Sequence, residues 1–188
     1  MTVSKERITR WDQRFHLLRR WPSAIALVLL VLIWPTGAEN TVRSLAELLV
    51  VLPLIYLVTA ALGRPDRTWL VFGSLALLTA LLGAQDRVPT TAVLAAIVVL
   101  VVGYAAAAGR IDRVFLLQLA GFVVFTAIAV IAQHADLGVA RMFVAAGWIG
   151  HGLWDYEHRH ARRTVSGSFA EFCGLIDIVV GVAVLLVP

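Results

Sequence analysis

The stretch HGLWDYEHRH, residues 151–160, closes a long apolar run yet holds three histidines, an aspartate and a glutamate. His151, Asp155 and His158 stand at i, i+4 and i+7. On a helix they fall at about 0°, about 40° and about −20°, one narrow face. His160 lies off that face. Neutral imidazoles and an ionised carboxylate converging on one point suit zinc or iron, two histidines and one carboxylate being a known ligand set. A linear array of this kind gives one ion at most two good ligands, so a third must come from another element. Asp177 is placed to supply it. Cys173, Gly174 and Gly181 lie at i−4, i−3 and i+4 from it, small enough for a neighbouring helix to approach closely. Without a metal the same groups suit acid/base work, because a carboxyl in apolar surroundings keeps its proton to higher pH.

The other ionisable groups inside apolar runs are Glu47 and Arg141, with Glu171 near the start of the last run and about 120° from Asp177 on the helical wheel. A charged side chain at the centre of a membrane helix costs roughly 2.5–3.5 kcal/mol on insertion scales, so each needs a reason. Two readings suit Glu47 and Arg141, which fall at similar depth. They form an ion pair between two helices, or Glu47 faces a cavity as proton donor and Arg141 anchors an anion. The candidate catalytic residues are thus His151, Asp155, Asp177 and Glu47. The candidate metal ligands are His151, Asp155, His158 and Asp177. His158, Arg159, His160, Arg162 and Arg163 also suit a wet rim that meets lipid headgroups, and Trp148 and Trp154 suit packing or interface anchoring.

These residues have to be positioned by membrane helices. The 188 residues are 60% hydrophobic, with a mean hydropathy of +0.86, far above an average soluble domain. The apolar residues come in seven blocks, 21–38, 44–62, 68–84, 90–108, 114–133, 137–156 and 169–187. Each lies near the ~20 residues that cross ~30 Å of hydrocarbon as an α-helix. The expected fold is an all-α integral membrane bundle of seven transmembrane helices, one domain over 21–188. Strands of a membrane barrel would be about half as long and would alternate in polarity. Pro53 falls inside the second block and is expected to kink its helix, while Pro35 falls near the end of the first.

A pI near 10.0 and a net charge of +4 suggest nucleic acid only until the charges are placed. They sit between the apolar blocks. Lys5, Arg7, Arg10, Arg14, Arg19, Arg20, Arg64, Arg67, Arg110, Arg113, Arg159, Arg162 and Arg163 all fall on one side of the alternation, thirteen of sixteen basic residues. That side is the cytoplasmic one, which puts the N-terminus inside and the C-terminus outside. Ile8, Trp11, Phe15 and Leu18 recur at helical spacing among arginines, so residues 1–20 read as an amphipathic basic segment on an anionic leaflet rather than a cleaved signal. The single cysteine, Cys173, allows no intrachain disulfide. No loop is long enough to hold a soluble catalytic domain. The chemistry belongs inside the bundle or at its rims, and its partners are membrane lipids and a hydrophobic small molecule.

At HGLWDYEHRH and then FCGLIDIVVG the chain resembles a group of small bacterial multipass membrane proteins. Their pattern is H-x3-D-x2-H-H at one helix end and F-C-x3-D in the next. It maps onto His151, Asp155 and His158, then Phe172, Cys173 and Asp177, with Arg159 where the second histidine of the pair would stand. The resemblance spans residues 151–181 and implies a multipass bacterial membrane protein without implying an activity. In layout alone the chain is similar to small integral-membrane terpene cyclases, which place an essential glutamate in an early helix and an aspartate in a late one. Glu47 and Asp177 occupy comparable places. The ceramidase-like hydrolases share the seven-helix plan, but their motif order does not match. Membrane di-iron desaturases use many more histidines than the five here. The expected function is an enzyme acting on a lipid or isoprenoid-like substrate, through acid/base groups or one divalent metal. The alternatives are a small proton- or cation-coupled carrier and a non-catalytic accessory subunit.

Overall fold

A computed structural model describes residues 20–32, 34, 38–85, 87–161 and 163–186. The expected amphipathic segment therefore lies, but for Arg20, outside the described residues, as does Pro35. Among the described residues there are seven α-helices, one short 3-10 turn at Pro65–Arg67, and no strand. The helices are α1 Trp21–Leu32, α2 Glu39–Leu62, α3 Thr68–Gly83, α4 Thr90–Ala107, α5 Arg113–His134, α6 Leu137–Ala161 and α7 Gly167–Leu186.

Four of them, α2, α4, α5 and α7, have 18 to 24 residues and are apolar enough to cross a membrane. At 1.5 Å per residue such helices match a hydrocarbon core of about 30 Å. The chain is thus a helical membrane protein by the length and composition of these four. The other three fall short on different grounds. α1 has 12 residues and α3 has 16, while α6, with 25, carries Arg141, His151, Asp155, Glu157, His158, Arg159 and His160. α2 begins five residues before the expected start of its block, which moves Glu47 from the first turn to the third. Pro53 lies inside α2, which stays continuous from Glu39 to Leu62.

Local chemistry fixes the helix ends. Gly63 adopts φ +60°, a left-handed conformation open to glycine at little cost, and its N–H closes α2 on Ala60 O. Arg110, from the loop before α5, donates to Ala61 O at 3.1 Å and to Leu62 O. The Asp112 carboxylate caps the start of α5 by accepting from Phe115 N at 2.8 Å. At the other end of α5, Arg43 of α2 donates to Ala132 O at 2.6 Å, Gln133 O at 2.8 Å and Ala135 O at 3.0 Å. A basic residue from the sparsely charged side thereby satisfies carbonyls that α5 itself leaves unbonded.

α2 is the centre of the bundle, with α5 and α6 against it, and α6 packs along α7 in the most extensive helix pair. That last contact is close because the seam is lined with glycine. A Cβ on Gly174 would lie 3.2 Å from Asp155 Cβ, and one on Gly152 would lie 3.2 Å from Gly174 O. α4 is the outlier. Only 11% of its apolar window is buried inside the protein, against 61% for α2.

Candidate functional site

His151 and Asp155 stand one turn apart on α6 and face Asp177 on α7 across the glycine seam. His151 Nδ1 is 2.7 Å from Asp177 Oδ2 and 3.5 Å from Asp155 Oδ2. Tyr56 of α2 closes the group from the third side, its hydroxyl donating to Asp155 Oδ1. His151 and Asp155 are 0% exposed, and Asp177 and Tyr56 are 1%. The rings of Phe125 and Tyr56 meet the His151 ring edge-on, with centroids 5.0 and 5.5 Å away. An imidazole and two carboxyl groups are therefore enclosed in an apolar and aromatic shell.

That shell leaves three side-chain atoms buried with no hydrogen-bond partner: His151 Nε2, Asp155 Oδ2 and Asp177 Oδ1. A buried unsatisfied polar group costs about 1–3 kcal/mol, and more when charged. A cluster kept only to hold helices together would be cheaper as leucine and valine. Two chemical uses fit the geometry. In one, His151 and Asp177 exchange a proton across their 2.7 Å contact while Asp155, oriented by Tyr56, faces the imidazole. In the other the three residues hold a cation: each offers a donor atom, and these atoms lie within 4.8 Å of one another. Such an ion would be held by His151, Asp155 and Asp177 and would supply Lewis-acid chemistry there.

His158 shares the helix face expected of it but stands apart from these three donors. Its Nδ1 is 2.8 Å from Trp154 O and its Nε2 is 3.0 Å from Gln118 Nε2. With Nδ1–H donated to a carbonyl, Nε2 is left as the acceptor of the amide hydrogen. Both ring nitrogens are occupied, which leaves neither for the metal expected of it. Nor is His158 part of a wet rim, since it is only 7% exposed. Beyond α6, Thr164 and Val165 are buried, and Ser166 N bonds Thr68 Oγ1 at 3.1 Å. His160 and Arg163, by contrast, are exposed. Gly121 lets the Trp154 indole lie against α5, beside the His158 ring. Trp148 is buried, and its Nε1–H donates to Leu45 O at 3.0 Å.

The expected ion pair between Glu47 and Arg141 does not form. Arg141 turns instead to α7, where Nε and Nη2 donate to Val184 O at 3.2 and 2.9 Å. Glu47 faces a cavity of about 420 Å³ whose wall also includes Phe72, Trp148, Phe172, Cys173 and Asp177. On its other side Glu47, with Thr90 and Leu94, borders a second cavity of about 880 Å³ between α2, α4 and α5. Asp177 therefore belongs both to the sealed cluster and to an apolar cavity that holds a second carboxylate. Glu171 is elsewhere, at the arginine-rich end of α7 with Arg20, Ser23 and Arg159.

Tyr56 and Gln118 escape a search for charges, because both are neutral. Their signal is a polar side chain inside an otherwise unbroken apolar run, LLVVLPLIYLV for Tyr56 and FLLQLAGF for Gln118. The chain matches no known protein family, no curated protein and no solved structure. Its function has to be read from the site itself.

Proposed function

We propose that this is a multipass protein of a bacterial plasma membrane, with seven spans, a cytoplasmic N-terminus and an external C-terminus. We further propose that it is an enzyme acting on a lipid or isoprenoid-like substrate through Asp177 and His151. The alternating arginines support the orientation. One observation carries the activity: Asp177 is shared by the buried His/Asp cluster and an apolar cavity that also exposes Glu47. A cavity of this size and lining takes a hydrocarbon chain rather than a polar metabolite. It brings that chain to Glu47 and against the wall that Asp177 completes, where a small shift of the wall would bare the Asp177 carboxyl. A proton delivered at one carboxyl and removed at the other changes the position of bonds without adding or removing atoms. The product is then an isomer of the substrate, as in a cyclisation or double-bond shift. His151 serves as the partner with which Asp177 exchanges its proton, and Asp155 stabilises the imidazolium.

A second reading, one zinc or iron ion held by His151, Asp155 and Asp177, draws support from the three unpartnered buried atoms. Elemental analysis of the purified protein separates it from the acid/base version. To test the enzyme reading, the protein is purified in mild detergent, co-purifying lipids are identified, and prenyl and acyl lipids are supplied. The expected result is an isomeric product formed by the wild type and absent with Asp177→Asn, at unchanged helix content. A protein that neither takes up nor converts any such lipid overturns the proposal.

A further inference from the structure

We propose that the groove between α1, α6 and α7, at the arginine-rich end of the bundle, binds one anionic glycerophospholipid from the surrounding membrane. The groove has a volume of about 270 Å³, and its wall changes character along its length. At the mouth stand Ser23, Arg159 and Glu171, and further in it is lined by Leu153, Leu175 and Ile178. Glu171 organises the mouth. Its side chain is only 12% exposed; it accepts from Ser23 Oγ at 2.5 Å and Arg20 Nη1 at 3.4 Å, and forms an ion pair with Arg159 Nη2 at 2.9 Å.

The arithmetic of charge then favours an anion. Two guanidinium groups meet one carboxylate, which leaves a net charge of +1 at the mouth. Each guanidinium has five N–H donors and commits one nitrogen to Glu171, so the remaining donors of Arg20 and Arg159 can meet phosphate oxygens. Both arginines stay accessible, at 63% and 38% side-chain exposure. A lipid with one phosphodiester and a neutral polar group carries one negative charge and cancels the excess. Free phosphate would match the charge but leave the apolar wall uncovered, including Leu153, which is 60% exposed. An acyl chain covers it. This groove lies on a different face of α7 from Asp177, so the inference stands apart from the proposed reaction.

The test uses the full-length protein, stripped of lipid in detergent and titrated with phosphatidylglycerol under native mass spectrometry. Phosphatidylcholine and inorganic phosphate are the comparisons. The expected result is one tightly held phosphatidylglycerol, weakened roughly tenfold by Arg159→Gln or Arg20→Gln, the scale of one lost charge-assisted contact. Arg159→Lys should retain part of the affinity, and Arg163→Gln, on the exposed loop, all of it. Ile178→Ser should weaken the lipid without changing any charge, and excess phosphate should not displace it. Equal retention of phosphatidylcholine, or a full complement of phosphatidylglycerol on folded Arg159→Gln, would mean annular lipid only and would overturn the proposal. So would displacement by phosphate at millimolar concentration.

Discussion

Gly181→Ala tests whether the glycine seam is what brings His151 and Asp177 together. A Cβ at this position would meet Ala145 O and Ile149 N at 3.0 Å and Ile149 Cγ1 at 2.7 Å. Two of these atoms are helix backbone and cannot rotate away, so α6 and α7 must move apart by about 0.4 Å to restore ordinary contact. Asp177 lies one turn from Gly181, and its 2.7 Å contact with His151 would open to roughly 3.1 Å, the long end of the hydrogen-bond range. Forcing one extra carbon into a packed seam costs about 1–3 kcal/mol. Replacing a helical glycine by alanine also gains up to about 1 kcal/mol in propensity, which would mask part of that cost. Gly103→Ala removes the ambiguity, because a Cβ there meets nothing within 4 Å. The difference between the two variants is the packing cost alone, about 5- to 150-fold in the unfolding equilibrium. Reversible unfolding in mixed detergent micelles, followed by circular dichroism, measures it. A difference below about 0.5 kcal/mol, within ordinary additivity error, would refute the claim that the seam is sterically closed.

Tyr56→Phe removes the donor to Asp155 and leaves a buried carboxyl oxygen without its partner, a loss of about 1–3 kcal/mol in the same assay. Glu47→Gln and Arg141→Gln should be additive within about 0.5 kcal/mol, since no bond joins them; marked coupling in the double mutant would argue against the observed separation. If the cluster holds a metal, His151→Ala and Asp177→Asn release it by elemental analysis, whereas His160→Ala, on the exposed side, does not. If it holds none, chelators leave activity unchanged. A reporter fused after Pro188 should be active only outside the cytoplasm, and a cytoplasmic signal would refute the seven-span orientation.

The helix positions were readable because apolar blocks of membrane length leave few alternatives. The start of α7 came out two residues early and that of α4 on the expected residue. The start of α2 was misplaced because residues 39–43, ENTVR, look like a loop until Arg43 is seen capping α5. The meeting of His151 with Asp177 was legible from the small residues around Asp177 and the short connection between the last two blocks. The fate of His158 was not. Helical spacing gives the direction of a side chain but not its neighbours: Gln118, which bonds His158, comes from another helix and itself meets Thr164 of a loop. Arg141 shows the same limit: depth along a helix pairs it with Glu47, and only packing reveals that α7 offers Val184 O instead.

The thin packing of α4 has a consequence for traffic. Leu94 and Ala105 are its only buried residues, yet Thr90 and Leu94 form part of the wall of both cavities beside Glu47. A helix held by so few protein neighbours, in a solvent as apolar as its own side chains, gives up little when it tilts away, because acyl tails replace its contacts in kind. Its displacement would widen those cavities on the side that meets the hydrocarbon. Under the proposed lipid reaction, the supply of substrate would then depend on the fluidity and thickness of the bilayer around α4, a property the membrane shares with the protein.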